Sequence, residues 1–376
     1  MSEERLSTHA ADTNQFHEKP VRRQAAPAPS PSPESPRTKS VGRTILNKVF
    51  SGLQASHRWI TCESGGFTWW ASGFPTRVWA EPAVVRNGTE VTRLHASTAL
   101  VRGAGTGEKY DTRIAGLNRG AALSAILRNA TNPSLLELRS AVYVYPDRRS
   151  TMGMFLRQTV GLQAFQAFRT ADAVASLVDG EPDVRPHPRS GLRLEATANL
   201  RHLREAVSVW GVRPSLFDGE DLPKLARIFE GSPCLLSSFS DGRLAAEFPF
   251  LGGSSLLEMS TEEPHETLGN GLGARLTLPV GGSRAERAAI AMRLNRHEID
   301  NPIWTSFVGS WSERESGVTF TAFYPNFMER PELGLDVGMG LYYRARSISE
   351  GVFHDDWARI PARSSAERLM AHELPC

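Results

Sequence analysis

The chain has 376 residues, with 43 lysines and arginines against 41 aspartates and glutamates, and a formal net charge of +2 at neutral pH. This balance argues against a nucleic-acid-binding protein and a membrane-surface protein, because both usually carry a concentrated basic face. The length is too great for one ordinary core and suits two domains with a tail.

The first 40 residues predict a disordered tail. Residues 25–33 consist of alanine, proline and serine alone, and such a segment buries too little apolar surface to offset its ordering entropy. The polar N-terminus lacks the apolar core of a signal peptide, so we expect a cytoplasmic protein. Cys62, Cys234 and Cys376 form no Cys-x-x-Cys pair, which predicts neither a zinc knuckle nor a disulfide framework.

The region from 41 to 180 predicts one domain. Its elements, in chain order, are a helix over 41–55, strands over 67–70, 77–81 and 92–101, a helix over 111–119, strands over 122–128 and 135–145, and a helix over 152–178. Asn87-Gly88 indicates a hairpin, and Asp111 is a plausible helix N-cap. The predicted order is α-β-β-β-α-β-β-α.

The region from 200 to 358 predicts a second domain, after a linker over 181–199 that is rich in proline and charge. Its predicted elements are helices over 200–209 and 221–230, strands over 235–239, 243–250, 255–259 and 273–280, a helix over 284–296, strands over 303–311 and 317–324, and a helix over 332–352. We expect residues 359–376 to form a C-terminal tail.

A repeated tripeptide relates the two regions. Leu117-Asn118-Arg119 precedes a strand that ends in Tyr145-Pro146, and Leu294-Asn295-Arg296 precedes one that ends in Tyr324-Pro325. Self-similarity at a fixed offset is the mark of duplication. The sequence therefore predicts an α+β protein with two tandem copies of one domain, each with a five-stranded antiparallel sheet.

This order of elements resembles the type III secretion chaperone-like fold shared by the YbjN family of bacterial proteins. The resemblance rests on a helix ending in Leu-Asn, a hairpin and an apolar closing helix. The second copy is also similar to uncharacterised actinobacterial proteins, through Asn270-Gly271-Leu272 and the turn Tyr324-Pro325-Asn326. The resemblance implies a non-enzymatic chaperone- or adaptor-like protein that holds a polypeptide partner through sheet faces and closing helices. Secretion chaperones of this class commonly act as homodimers, so a tandem fusion implies a monomeric pseudo-dimer.

Two groups of residues are singled out as sites. Asn118 and Asn295 stand where a helix should stop, and asparagine tolerates the left-handed conformation, so both are predicted to be structural helix C-caps. Trp69 and Trp70 alternate on one strand and must face opposite sides of the sheet. A candidate partner surface combines these tryptophans with apolar residues that lie off the main stripe of helix 152–178, namely Phe155, Leu162, Phe165 and Phe168.

No catalytic site, metal or cofactor is predicted. His297-Glu298 begins a helical zinc motif, but Asn301 stands where the second histidine is needed. A solvated acidic loop is the favoured interpretation of His265 with Glu262, Glu263 and Glu266, and His354-Asp355-Asp356 is interpreted in the same way. The glycine-rich run 103–107 lacks the Gly-Lys-Ser/Thr ending of a phosphate loop.

Two alternatives remain open. One is an enzyme whose site lies between the two copies, with His265, its neighbouring glutamates and His297 as candidates. The other is a small-ligand sensor that uses the same cleft. An enzyme needs polar side chains that converge in a pocket, whereas a partner-binding protein needs an exposed surface.

Overall fold

A computed structural model describes residues 41–86, 89–145, 149–193, 195, 198–217, 220–231, 236–251, 253–300 and 306–349. The predicted tails at 1–40 and 359–376 lie outside the described residues. The described residues belong to one compact unit. None of the helices in the described ranges combines the length and apolar composition that a membrane crossing needs.

The described part of the first half contains three helices and eight strands. They are α1 (Val41–Gly52), β1 (Ile60–Glu63), β2 (Gly66–Trp70), β3 (Pro75–Ala80), β4 (Val84–Arg86), β5 (Thr89–Arg102), α2 (Glu108–Leu117), β6 (Ala125–Arg128), β7 (Leu136–Val144), α3 (Arg149–Leu177) and the short β8 (Glu181–Pro182). Strands β4 and β5 pair antiparallel on either side of Asn87-Gly88, which confirms the predicted hairpin.

The second half contains four helices and seven strands in the described residues. They are α4 (Ala198–Trp210), α5 (Asp221–Glu230), β9 (Leu236–Ser240), β10 (Arg243–Phe250), β11 (Gly253–Ser260), β12 (Gly271–Leu278), α6 (Arg284–Asp300), β13 (Ser306–Phe307), β14 (Ser310–Arg314), β15 (Gly317–Pro325) and α7 (Leu333–Ser347).

The protein is an α+β protein with two antiparallel sheets. The first sheet has nine strands and follows the order β1-β2-β3-β5-β7, with β6 and β13 both paired to β7. The second has six strands in the order β9-β10-β11-β12-β15-β14. Six strands of the first sheet (β1, β2, β3, β5, β7 and β6) therefore occupy the same relative order as the six strands of the second.

The first half differs from the prediction of three strands before its middle helix, and both sheets have more than the five predicted strands. Strand β1 precedes the predicted meander and pairs with β2, with Ile60 opposite Trp69. The residues Thr61-Cys62-Glu63 carry little apolar character, because β1 is an edge strand that is largely exposed. Each half therefore places four main strands before its middle helix.

The hydrophobic core joins the two halves. One cluster includes Trp69 and Leu156 from the first half together with Phe229, Leu276 and Leu341 from the second. A smaller cluster lies under the C-terminal part of α3 and is built almost entirely from the first half. The long helix α3 contributes to both, so it links the two sheets through one apolar interior.

The repeated asparagines fasten each middle helix to a strand of its own half. Asn118 Oδ1 accepts the Ile126 N–H at 2.7 Å, and its Nδ2 donates to the Ile126 carbonyl at 3.2 Å. Asn295 makes the same pair of bonds to Trp311, at 2.7 and 2.8 Å. Both asparagines are completely buried. Each one replaces a strand partner along the outer edge of β6 or β14.

The predicted C-cap role is correct in position for Asn118 only. Asn118 is the C-cap of α2, but its backbone is right-handed. The prediction for Asn295 is wrong, because α6 continues to Asp300. The side-chain bonds to the strand backbone, which a cap does not require, are what both positions share.

The arginines of the repeated tripeptides cross between the halves. Arg119 donates from Nε to the Glu313 carbonyl at 2.9 Å and from Nη2 to the Glu313 carboxylate at 2.5 Å. Arg296 donates to the Arg128 carbonyl. Glu313 lies two residues after Trp311, and Arg128 lies two residues after Ile126. The two arginine contacts are therefore equivalent in the two halves, as the two sets of asparagine bonds are. The tripeptide thus builds both the helix-to-strand contact and the contact between halves.

Candidate functional site

A cleft of about 600 Å³ lies between α3 of the first half and the second sheet. One wall is a stripe of α3 at helical spacing: Leu162, Phe165, Gln166, Arg169, Thr170, Ala173 and Val174. The opposite wall comes from β9, β10, β11, β12 and β15, and Arg119 and Arg314 stand at the seam between the halves. The volume lies within the range of about 300–1,000 Å³ that is typical of ligand pockets.

Strand alternation explains the polar character of the sheet wall. In β12, Leu272, Ala274 and Leu276 are buried toward the helices, so Gly273 and Arg275 face the cleft. In register with Arg275 lie Glu258 on β11 and Thr321 on β15. The wall is therefore a polar face of arginine, glutamate, serine and threonine, set against a partly apolar helix.

The outermost strand of the second sheet lines the cleft. Strand β9 pairs with β10 on one side, and no strand pairs with its other side within the described residues. Its Ser238 and Ser240 line the cavity. An unpaired edge presents backbone N–H and C=O groups that can bind an extended chain.

The long loop after β11 holds His265 in the cleft. Gly269 has φ +72° and its α-hydrogen position faces the backbone of Gly211, so that a Cβ would lie 2.4 Å from the Gly211 Cα. Only glycine fits both requirements. The bridge between His265 and Gly269 then returns the loop to the sheet.

Both ring nitrogens of His265 are occupied. Nδ1 accepts the Thr267 N–H at 3.2 Å, and Nε2 lies 3.1 Å from the Gly120 carbonyl of the other half, which assigns the proton to Nε2. Burial lowers the pKa of His265, so the ring is neutral. It bridges the two halves through the Gly120 carbonyl. His297 lies on α6 and is not among the described residues that line the cleft.

The candidate partner surface is mostly buried inside the protein. Trp69 is in the main core, and Trp70 faces the opposite side, as predicted, where its Nε1 donates to the Arg185 carbonyl at 3.2 Å and its ring meets His187 edge-on. The segment after α3 therefore covers Trp70. The two tryptophans therefore form no exposed surface, because each sheet face already has a covering element.

The four apolar residues of α3 have separate environments. Phe155 is buried in the main core, with its ring centroid 6.0 Å from that of Tyr324 in the second half. Leu162 and Phe165 are nearly buried but line the cleft. Phe168 is 40% exposed and borders a second cavity, beside α4. The helix is covered on more than one side, by elements of its own half and by the second half.

The remaining residues that the sequence analysis considered for a site lie elsewhere in the fold. Glu298 is completely buried and accepts from Trp311 Nε1 and from Arg344 Nε, the latter at 2.8 Å. Among the described residues, no group of three or more histidine, cysteine, aspartate or glutamate side chains is arranged to hold a metal. The glycine run 103–107 follows an antiparallel strand, β5, and leads into α2, whose N-cap is Gly107. His354-Asp355-Asp356 lies outside the described residues.

A buried histidine that the sequence did not single out lies on the outer face of the first sheet. His95 Nε2 is 3.0 Å from a Glu81 carboxylate oxygen, and Arg93 binds the same carboxylate at 2.5 and 2.8 Å. The His95 ring stacks on Trp79 with centroids 4.8 Å apart. Burial lowers the pKa of His95 to about 4, opposed by Glu81 and assisted by Arg93 and Arg139. A neutral histidine held in this way supports folding and is a weak base.

Acidification should therefore destabilise the protein through His95. The pKa of His95 in the folded protein lies below the unfolded value of 6.5. Its contribution to the free energy of unfolding is therefore complete above pH 6.5 and is lost as the pH falls toward about 4. Between about pH 7.5 and about pH 5, we expect a loss of roughly 2 kcal/mol in the free energy of unfolding. The pKa of Glu81 is lowered from 4.5, since burial, which raises it, is outweighed by Arg93 and His95, and its effect belongs to more acidic solutions.

Chemical denaturation of the full chain at several pH values measures this loss. His95→Gln should flatten the dependence on pH over that window, whatever it does to stability at neutral pH. An equally steep dependence in His95→Gln would assign the effect to other groups.

The arginines of the cleft were also missed by the sequence interpretation. Arg275 occupies an outward position in an alternating strand, which the buried Leu272, Ala274 and Leu276 could have indicated. Arg314 ends a strand at a hairpin turn, and only the packing of the two halves places it near Arg119. A comparison of the chain with protein-family models, with curated proteins and with solved structures finds no match.

Proposed function

We propose that this protein is a non-enzymatic, chaperone- or adaptor-like protein made of two fused secretion-chaperone-like copies, and that it binds a polypeptide partner in the cleft between them. The observation that carries the proposal is the composition of the cleft: a closing helix forms one wall and a sheet face forms the other. These are the two kinds of surface that the sequence resemblance implies for a partner. The fold supports duplication through the shared strand order and the paired Asn-Arg contacts.

The open edge of β9 favours a polypeptide as the ligand. An extended segment that enters the cleft could pair with β9 and place alternate side chains against the α3 stripe and the polar sheet face. Main-chain hydrogen bonds would supply binding energy that does not depend on sequence, and the two walls would supply selectivity.

A small-ligand sensor is the second candidate, and the cavity volume favours it. The cleft of about 600 Å³ is large enough for a metabolite-sized molecule. A small molecule would not form strand hydrogen bonds with the β9 edge, whereas an extended peptide would. The two candidates therefore differ in whether ligand binding protects the backbone amides of 236–240 from hydrogen exchange.

A displayed library of random peptides, selected against the full chain, tests the proposed function. Ala173 is exposed on α3 and lines the cleft, so Ala173→Trp should fill part of the cleft without disturbing the core. We expect selected peptides to bind Ala173→Trp at least about tenfold more weakly than the unaltered protein, a change of about 1.4 kcal/mol. They should also slow exchange of the β9 amides.

Ser176→Trp is the matched control, because Ser176 is exposed on the same helix but does not line the cleft. It should bind the peptides as the unaltered protein does. Selection of no peptides, or of peptides that bind equally well to Ala173→Trp, would reject the proposed function.

A further inference from the structure

One corner of the cleft carries unused hydrogen-bond donors. Arg314 Nε and Thr321 Oγ1 are both buried and have no hydrogen-bond partner, and both residues line the cavity. Buried polar groups are nearly always paired, so two such atoms in one cavity indicate a missing acceptor. No ion pair joins Arg314 to a described residue within 4.0 Å.

The neighbouring arginines are already engaged. Arg275 binds Glu263 at 2.7 Å, and Arg119 and Arg284 bind Glu313 at 2.5 and 3.0 Å. Arg314 is the member of this group without such a partner. Burial lowers the pKa of Arg314, and the nearby charges of Arg275 and Arg119 lower it further, so the corner repels additional cations.

The balance of charge at the corner fits a single negative charge. Four arginines (119, 275, 284 and 314) stand against three glutamates (258, 263 and 313), which leaves one positive charge. A carboxylate is a monoanion with two acceptor oxygens, and Arg314 Nε and Thr321 Oγ1 each lack an acceptor. A phosphate dianion carries more negative charge than the one net positive charge of the corner.

We infer that this corner, formed by Arg314 and Thr321 beside Arg275 and Arg119, binds the side-chain carboxylate of an aspartate or glutamate in the polypeptide segment that occupies the cleft. The inference rests on the proposed function and adds the chemistry of the partner: an extended segment with an acidic residue that reaches the seam between the halves. The apolar part of the same segment would lie on Leu162 and Phe165 of α3.

Peptides that bind the full chain, each made with its acidic residue and with the corresponding amide or phosphoserine, test the inference. Selected peptides should be enriched in aspartate or glutamate, and the amide should weaken binding at least about tenfold. Phosphoserine should not restore it. Arg314→Gln should weaken binding of the acidic peptide by a similar factor and leave the amide peptide unchanged within about twofold.

Two further variants separate loss of the site from loss of the fold. Thr321→Val keeps the shape of the side chain and removes its hydroxyl, so it should weaken binding of the acidic peptide several-fold. Arg227→Gln removes an exposed arginine of α5 outside the cleft and should change nothing. Both should melt within a few degrees of the unaltered protein.

The outcomes distinguish this inference from the proposed function. Peptides that are blocked by Ala173→Trp but show no acidic enrichment and no response to Arg314→Gln would overturn the carboxylate site and leave the polypeptide cleft in place. If no peptide is selected, a titration with N-acetyl-glutamate amide against N-acetyl-glutamine amide, at constant ionic strength, tests the corner directly. Binding of the glutamate compound that is lost in Arg314→Gln would support the carboxylate site alone, and equal behaviour of the two compounds would overturn it.

Discussion

Glu298→Ala should lower the free energy of unfolding by about 3–5 kcal/mol, because it leaves Arg344 buried without its counter-ion. Glu298 is completely inaccessible and the Arg344 side chain is 5% exposed, with Nε 2.8 Å from the carboxylate. The same carboxylate accepts the Trp311 indole N–H, and Arg344 also donates to the Ser306 carbonyl at 3.0 Å. One substitution therefore leaves a buried charge without its counter-ion and an indole donor without its acceptor.

Urea denaturation of the full chain measures this effect, with Glu205→Ala as the control. Glu205 is exposed on α4, so its replacement should change stability by less than about 0.5 kcal/mol. Replacing both members of the buried pair, as Glu298→Leu with Arg344→Met, should recover much of the loss, because no charge then remains buried. A loss below about 1 kcal/mol for Glu298→Ala would show that the pair is not desolvated as the structure describes.

Local sequence information was sufficient for most helices and hairpins. The prediction of a helix over 221–230 matches α5, because Leu222, Leu225 and Phe229 repeat at helical spacing and are buried. The prediction for α6 ended at 296, but the helix continues to Asp300. Its start has a clear local cause, since Ser283 and Glu286 form a reciprocal capping box.

Features that depend on contacts between distant segments could not be predicted. Strand β13 leaves the second half to pair with β7 of the first sheet, with Phe307 opposite Ala141. A strand of two residues is too short to show an alternating pattern in the sequence. Asp111 is another example: it was predicted as an N-cap, but Gly107 holds that position and Asp111 instead accepts from Arg128 Nε at 2.7 Å.

The candidate site depends on the same kind of long-range information. Helical spacing correctly indicated that α3 is apolar on more than one side, and Phe155 contacts the second half. The sequence could not show which of those residues remain at a cleft, because that depends on where the second sheet ends. Leu162 and Phe165 line the cleft because the second sheet forms its opposite wall.

The repeated asparagines should also be sensitive polar positions of the two middle helices. Asn118→Ala removes the partner of both the N–H and the C=O of Ile126, and Asn295→Ala does the same to Trp311. An unsatisfied buried group costs about 1–3 kcal/mol, so each substitution should lower the free energy of unfolding by roughly 2–4 kcal/mol. The two losses should be similar, because the bonding geometry is the same.

Asn47→Ala is the matched control, since Asn47 is exposed on α1 and should tolerate the change within about 0.5 kcal/mol. Denaturant titrations of the three variants can be compared directly. A large loss in only one of Asn118→Ala and Asn295→Ala would mean that the repeated tripeptide has different structural roles in the two halves, which would weaken the argument for duplication. Similar losses would support it, because two unrelated domains have no reason to use an asparagine at the same junction to complete the edge of the same strand.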